Sequence, residues 1–406
     1  MPSACHRDAL TAADEVVIGA LLPLSRPGAI LTGFAMQTAL TLAAEEINGA
    51  GGIAGKPLRL IPYDTGNSPE QAVYFAERLI QLDCAALLIG GHPNAVALAV
   101  KEVARQHGIP LIVPVVSADE VTADAQPEVF RIWPTFTMMA QMPAQWLTEV
   151  GDYNGDGVHF AVFIGENSSE VSNHIAAAEQ WLQQVGIGHT TLAVDLPASD
   201  FSPVIARIVA LEHVPDAIFI YVSGDAALAL QQQVLNAGIG PSQQTLIVST
   251  MQAQRDMAFW QQVPSGVFTV MPKLGPWPTT VTPLGAQFAE RYRTYFDRWP
   301  EAQAFAAYDA LHLAADAITR AESLAPDALI RALEATDIEL AAGHYTFPYG
   351  SANPPDGRTV PAFAWHQWLA APLLYLQYSV PNQPAYEAAV IWPAALRTVD
   401  TPVLRP

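Results

Sequence analysis

Lysine is nearly missing from this chain. Only Lys56, Lys101 and Lys273 occur, and with 39 acidic against 19 basic residues the formal net charge is −20. A field of that sign repels phosphate backbones, which excludes nucleic acid as a partner. Cysteine is scarce too: Cys5 and Cys84 make neither a disulfide framework nor a metal cluster. Cys84 follows a helical segment and precedes the apolar run Ala85 to Ile89, so it is expected to be a buried free thiol. No apolar run is long enough to cross a bilayer. The nearest, Pro361 to Val380, contains His366, Gln367, Pro372 and Gln377, and reads as two strands with a turn at Ala370-Ala371-Pro372.

The signatures of common enzyme chemistries are also missing. Leu24-Ser25-Arg26-Pro27-Gly28 after the first strand lacks the three spaced glycines that a pyrophosphate needs, and no Gly-x-x-x-x-Gly-Lys-Ser/Thr occurs. The ten histidines are scattered, with no paired spacing around a glutamate for zinc. There is no Gly-x-Ser-x-Gly and no evident Cys–His pair. No catalytic residue, metal site or cofactor is therefore expected, and the chain does not read as an enzyme. Asp152-Tyr153-Asn154-Gly155-Asp156-Gly157 matches the front half of a calcium loop, but the twelfth position, which should be a bidentate glutamate, is Phe163. A tight acidic turn is the expected reading.

What is present is an α/β pattern. At 406 residues, with 51% hydrophobic and 14% charged residues, two domains are expected. Val16 to Leu24 reads as a strand, 33–48 as a helix with Met36, Ala39, Leu40, Ala43 and Ile47 on one face, and Leu58 to Asp64 as a second strand. Such a β-α-β unit implies a parallel sheet with a right-handed crossover. Ser68-Pro69-Glu70 opens the next helix, and Gly108 closes the one after it. The alternation restarts after Pro134 and runs to a crossing strand at Gly266 to Met271. Three helices follow, Leu284 to Phe296, Gln303 to Ser323 and Pro326 to Ala335, and then strand and loop.

Ligands of open parallel sheets sit beyond the carboxyl ends of strands, where helix N-termini offer free N–H groups. Small polar groups gather at such ends in Gly90-Gly91-His92-Pro93-Asn94, Val115-Val116-Ser117-Ala118-Asp119, Tyr221-Val222-Ser223-Gly224-Asp225 and Ser249-Thr250-Met251-Gln252. Asn94, Ser117 and Asp225 also read as plain helix caps, a role compatible with binding. His92 either lines a cleft or is an exposed loop histidine.

Several phrases carry a family resemblance: Ala43-Ala44-Glu45-Glu46-Ile47-Asn48 with Gly51-Gly52-Ile53, Tyr63-Asp64-Thr65, Ser68-Pro69-Glu70-Gln71-Ala72, Gly108-Ile109-Pro110, Phe130-Arg131 and Ala307-Tyr308-Asp309-Ala310. Over about residues 16–380 the chain resembles type I periplasmic binding proteins of the leucine/isoleucine/valine-binding kind, the solute receptors of ABC importers. The resemblance implies two Rossmann-like lobes with parallel sheets, joined by three crossover segments and able to close on a ligand. Lobe 1 would be 16–134 plus 272–345, lobe 2 135–271 plus 346–406, and 1–15 a tether.

Carried over from that family, Asn94 and Ser117 stand at the places of carboxylate-holding hydroxyls, and Val116 at a backbone-carbonyl contact. The ammonium-holding acidic place falls on Ser249-Thr250, with no carboxylate; Asp225 could replace it. The usual lobe 2 tyrosines fall near Ser169 and Ser223, where Tyr221 could substitute. Thr32, Arg26 and Phe305 would border a side pocket. An ammonium without a carboxylate partner is poorly compensated, so a carboxylate, an amide or an aromatic solute fits at least as well as an amino acid.

The implied function is an extracytoplasmic solute receptor whose partners are the permease and ATPase subunits of an importer. The alternative is a ligand sensor of the same fold controlling a regulator. Ser3-Ala4-Cys5 resembles the end of a bacterial lipobox, so Cys5 is expected either as a lipid anchor or as a disordered N-terminal thiol.

Overall fold

The structure, a computed structural model, describes residues 5, 10–26, 28–249 and 257–406. Seven consecutive residues that can all be buried, Val-Val-Ile-Gly-Ala-Leu-Leu, form strand β1 (Val16–Leu22). A strand buried on both faces belongs in the middle of a covered parallel sheet. Accordingly β1 pairs in parallel with β2 (Leu58–Asp64) on one side and β3 (Leu87–Gly90) on the other. Helix α1 (Ile30–Gly49) makes the crossover from β1 to β2.

Helix α2 (Pro69–Gln81) begins where Ser68 Oγ accepts the Gln71 N–H at 3.2 Å, with Pro69 as its first residue. Helix α3 (Asn94–His107) ends at Gly108, whose φ of 64° is the left-handed conformation that closes a helix cheaply only with glycine. Strands β4 (Leu111–Val113) and β5 (Val129–Arg131) complete a five-stranded parallel sheet of order β2-β1-β3-β4-β5.

The second sheet follows α4 (Phe136–Val150). It is built from β6 (Phe160–Glu166), α5 (Ser169–Gln184), β7 (Gly188–Val194), α6 (Ser202–Val209), β8 (Ala217–Tyr221), α7 (Gly224–Asn236), β9 (Leu246–Val248), α8 (Met257–Gln262) and β10 (Val270–Leu274). The chain then forms α9 (Pro283–Phe296), α10 (Ala302–Ala321), α11 (Pro326–Glu334) and the hairpin β11 (Asp337–Leu340) and β12 (Gly343–Thr346). Helix α10 packs on α1, on a face of the first sheet already built. Strand β13 (Leu373–Gln377) adds antiparallel to β10 and β14 (Ala389–Trp392) antiparallel to β13, giving the order β14-β13-β10-β9-β8-β6-β7.

Two compact units result: Met1–Thr135 with Thr280–Pro372, and Phe136–Thr279 with Leu373–Pro406. The chain passes between them three times. The first passage lies one residue from its expected place, but the other two lie later than 271/272 and 345/346. Pro272 to Leu274 belong to β10, which pairs with β13 from Val270↔Gln377 to Leu274↔Leu373, so the chain stays in the second unit. Residues 346–372 are held in the first unit by polar side chains. His366 Nε2 lies 2.9 Å from Glu334 Oε1, Gln367 Oε1 accepts from Arg131 Nε, and Trp368 Nε1 donates to His344 O at 2.8 Å. The same use of His366 and Gln367 replaces the first of the two strands expected over 361–380: a 3-10 turn at Ala362–Ala364 and a single bridge, Arg131↔Gln367, stand there.

The cysteines also differ from expectation. Cys5 and Cys84 form a disulfide, and Cys84 is exposed on the turn after α2. A sulfur engaged in a disulfide carries no lipid thioether, which corrects the anchor expected at Cys5. The Asp152 loop is a turn closed on itself: Asp152 accepts the N–H groups of Gly155 and Gly157 at 2.7 and 2.8 Å. The buried Asp216 fastens that turn to the sheet by accepting from Tyr153 N and Phe160 N at 2.6 and 3.0 Å.

The C-terminal segment packs on the second unit. Trp146 Nε1 donates to Pro402 O at 2.9 Å, Leu404 N to Gln377 Oε1 at 2.6 Å, and the Arg405 guanidinium lies 4.2 Å from the Tyr153 ring centroid.

Candidate functional site

The carboxyl ends of β6, β8, β9 and β10 in the second unit surround a cavity of about 360 Å³. Its position follows from the local sequence. The apolar runs that make these strands end in short polar turns that start helices, so the strand interiors are filled by side chains while their ends are open. β6 ends in Gly165-Glu166, and Ser168 then caps α5, its Oγ accepting the Val171 N–H at 3.3 Å. β8 ends in Tyr221, and Ser223 stands at the start of α7.

Ser223 has the extended backbone of a capping residue, yet its side chain makes no capping bond. Its own N–H instead donates to Glu166 Oε2 at 2.7 Å, tying two strand ends together. Ser249 lies beneath. Its Oγ donates to Gln231 Oε1 at 2.6 Å, and Gln231 Nε2 donates to Thr269 Oγ1 at 2.7 Å, so this buried polar chain is satisfied.

Most of the wall is apolar or aromatic: Met139 and Met142 from α4, Val171 from α5, Phe219 from β8, Val222, Leu274 from β10 and Tyr375 from β13. The His174 ring packs on that of Tyr221 with centroids 5.2 Å apart. Burial holds the His174 imidazole below its ordinary range, the Glu170 charge opposing, so it is neutral near pH 7. Burial pushes the phenols of Tyr221 and Tyr375 up, so both keep their protons. A cavity of this size and lining suits a small molecule with an apolar body and a few polar contacts.

Of the residues expected at the site, Tyr221 and Ser223 are brought together on this wall. Thr250 lies outside the described residues. Asp225 is exposed on the first turn of α7 and does not line the cavity. In the first unit, His92 and Asn94 follow β3, and Val116 and Ser117 follow β4. Gly90 closes β3 at a φ of 130°, with a Cβ there falling 2.2 Å from Leu21 O, so only glycine lets the turn lie against β1.

His92 Nδ1 lies 2.9 Å from Val115 O, which makes it the donor and leaves Nε2 as the acceptor in the neutral ring. Burial keeps that ring's pKa below its ordinary value, the Val115 carbonyl opposing. Ser117 Oγ accepts from Trp133 Nε1 at 3.1 Å and keeps its own proton to donate. Val116 is buried, with its side chain in the core.

Two expectations meet a different setting. Phe305, placed by resemblance in a side pocket, is 1% exposed and stands against Phe288 and Trp299 with centroids 5.1 and 5.7 Å away. It is part of the packing of α9 and α10. Thr32 is half-buried on the first turn of α1. Sequence reasoning did not single out Glu166, His174, Met139 or Tyr375. The one available signal for Glu166 was its place, a lone charged residue closing an apolar strand just before a capped helix.

A family model described as periplasmic binding protein matches residues 15–368. The chain belongs to the periplasmic binding protein family. A curated relative of this periplasmic binding protein is the Leu/Ile/Val-binding protein homolog 7 of Brucella abortus, 26% identical over 371 residues that cover 86% of this chain and 87% of that protein. Among solved structures, a putative branched-chain amino acid ABC transporter from Silicibacter pomeroyi superposes with a TM-score of 0.75 at 21% identity, covering 95% of this chain and 98% of the other. An ABC transporter solute-binding protein from R. palustris in complex with benzoate superposes with a TM-score of 0.64 at 18% identity, covering 97% and 98%. The α/β architecture of two units with parallel-dominated sheets is thus that of type I periplasmic binding proteins.

Proposed function

We propose that this chain is the extracytoplasmic solute receptor of an ABC importer, delivering a small solute to permease and ATPase subunits encoded elsewhere. The observation that carries the reading is the 360 Å³ cavity at the strand ends of the second unit, walled by apolar and aromatic side chains with few polar groups. Tyr221 and Ser223 are its proposed contacts from the sequence-derived set, and His92, Asn94 and Ser117 are proposed contacts in the first unit. The relatives' names support a small organic solute, branched-chain amino acid or aromatic acid in scale. The Cys5–Cys84 disulfide supports an oxidising compartment and speaks against a cytoplasmic sensor, the second function that the fold resemblance allows.

The test is thermal unfolding of the purified protein against amino acids, amines, amides and aromatic and short-chain acids, with mass spectrometry of any solute released on denaturation. A ligand at a hundredfold excess over its dissociation constant stabilises the native state by about 2.7 kcal/mol. Met139→Trp, which fills the cavity from its half-buried wall, should keep the fold and lose the shift. If no solute shifts the transition and none is released, the receptor reading fails. If a solute binds Met139→Trp undiminished, the site is elsewhere.

A further inference from the structure

Among the described residues, the wall of the second unit's cavity carries one formal charge, and it is negative. Glu166 contributes it. Of its two carboxylate oxygens, Oε2 is engaged by the Ser223 N–H at 2.7 Å, while Oε1 has no hydrogen bond or ion pair among the described residues. The described cations of this unit, Arg207, Lys273, Arg397 and Arg405, are absent from the wall. Three of them have partners elsewhere: Lys273 lies over the Trp277 ring, Arg397 pairs with Glu149, and Arg405 lies over Tyr153. His174, the remaining basic group among the described residues of the wall, is kept neutral by burial near pH 7.

A half-buried carboxylate facing an apolar space is poorly compensated until a donor or a cation arrives. An anionic head group placed beside it would be repelled in a medium that screens weakly. The bond from Ser223 fixes the carboxylate to the neighbouring strand end, so the free oxygen is held in place before a solute enters.

We propose that Glu166 is the specificity-determining residue of this cavity, selecting solutes in which a protonated nitrogen is joined to an aromatic or branched aliphatic body. Solutes whose only polar group is a carboxylate are rejected. This rests on the receptor reading above. It reverses the expectation that the second unit lacks a carboxylate for an ammonium: Glu166 supplies one from the end of β6 rather than from the Ser249-Thr250 segment.

The test uses matched pairs that differ in the amine: leucine and 4-methylpentanoate, phenylalanine and 3-phenylpropanoate, benzylamine and benzoate. Dissociation constants are measured by calorimetry on the wild type, Glu166→Gln and Glu166→Asp. The glutamine keeps an oxygen to accept from Ser223 and removes the charge; the aspartate keeps the charge on a shorter arm. The wild type should bind the aminated member of at least one pair and discriminate against its partner. Glu166→Gln should weaken the aminated solute about 30-fold or more and abolish the preference, and Glu166→Asp should retain the preference.

Tight binding of a carboxylate lacking an amine, or an unchanged constant in Glu166→Gln, would overturn the assignment and leave the receptor reading standing. If no member binds and no solute is released on denaturation, the receptor reading falls, and this inference with it.

Discussion

Cys5 and Cys84 are joined by a disulfide with their Cα atoms 5.4 Å apart, across a sequence separation of 79 residues. It ties the N-terminal segment to the turn between α2 and β3. Closing a loop of that length in the unfolded chain is worth about 4–5 kcal/mol in the chain-entropy account. Cys84→Ser should therefore lower the denaturation midpoint of the first unit, and a reductant should do the same to the wild type but not to the variant. Thiol titration of the unfolded, unreduced wild type should find no free sulfhydryl. Two reactive thiols there would refute the pairing.

Asp309, at the centre of α10, is buried and accepts the N–H groups of Ala341 and Ala342 at 2.8 and 2.7 Å and the hydroxyl of Tyr345 at 2.8 Å. Burial dominates those donors and pushes its carboxyl up to about 6. The folded protein then holds this proton more tightly than the unfolded chain does. The stabilisation is fully present below the ordinary carboxylate range and is lost as pH rises through about 6, by about 3 kcal/mol in all. Asp309→Asn cannot titrate. The stability of the wild type minus that of Asp309→Asn should fall between pH 4 and pH 7. A flat difference would show that the carboxyl titrates normally.

Phe305 separates packing from binding. Its ring is enclosed by Phe288 and Trp299, so Phe305→Ala should cost about 3–5 kcal/mol of stability. Thr32→Ala, at a half-buried position on the first turn of α1, should cost under about 1 kcal/mol. Neither should change solute affinity in protein that remains folded. A large affinity loss in Phe305→Leu, with stability near that of the wild type, would restore Phe305 to a pocket.

What the chain makes legible is what local pattern determines. The opening β-α-β unit is readable because β1 is apolar throughout and β2 ends at Asp64. Ser68 and Pro69 mark the start of α2 by chemistry that needs no partner outside the turn. The later passages between the units are not readable that way. They depend on where His366 and Gln367 find partners, and those are Glu334 and Arg131, 32 and 236 residues away. β10 is extended past its expected end because β13, a hundred residues on, pairs with it. The candidate site divides along the same line. Tyr221 and Ser223 could be placed from a strand end running into a helix start. Glu166 could not be ranked above other carboxylates, because its significance lies in what surrounds it: apolar walls from α4 and β13 and no cation among the described lining residues.

The floor of the cavity offers a final test of how rigidly its wall is held. Ser249 is 2% exposed and donates to Gln231, which is fully buried and donates in turn to Thr269. Gln231→Leu matches the volume roughly but leaves two buried hydroxyl groups without their partner. The cost should be about 1–3 kcal/mol, set by desolvation of those hydroxyls rather than by lost contact. Adding Ser249→Ala and Thr269→Val to Gln231→Leu should recover much of it, since an apolar cluster has nothing left to satisfy. Calorimetric unfolding of the single and multiple variants measures this coupling. Additive losses would mean that the three side chains do not act as a chain. Recovery of stability with weaker solute binding would mean that the polar floor is kept for the geometry of the wall above it.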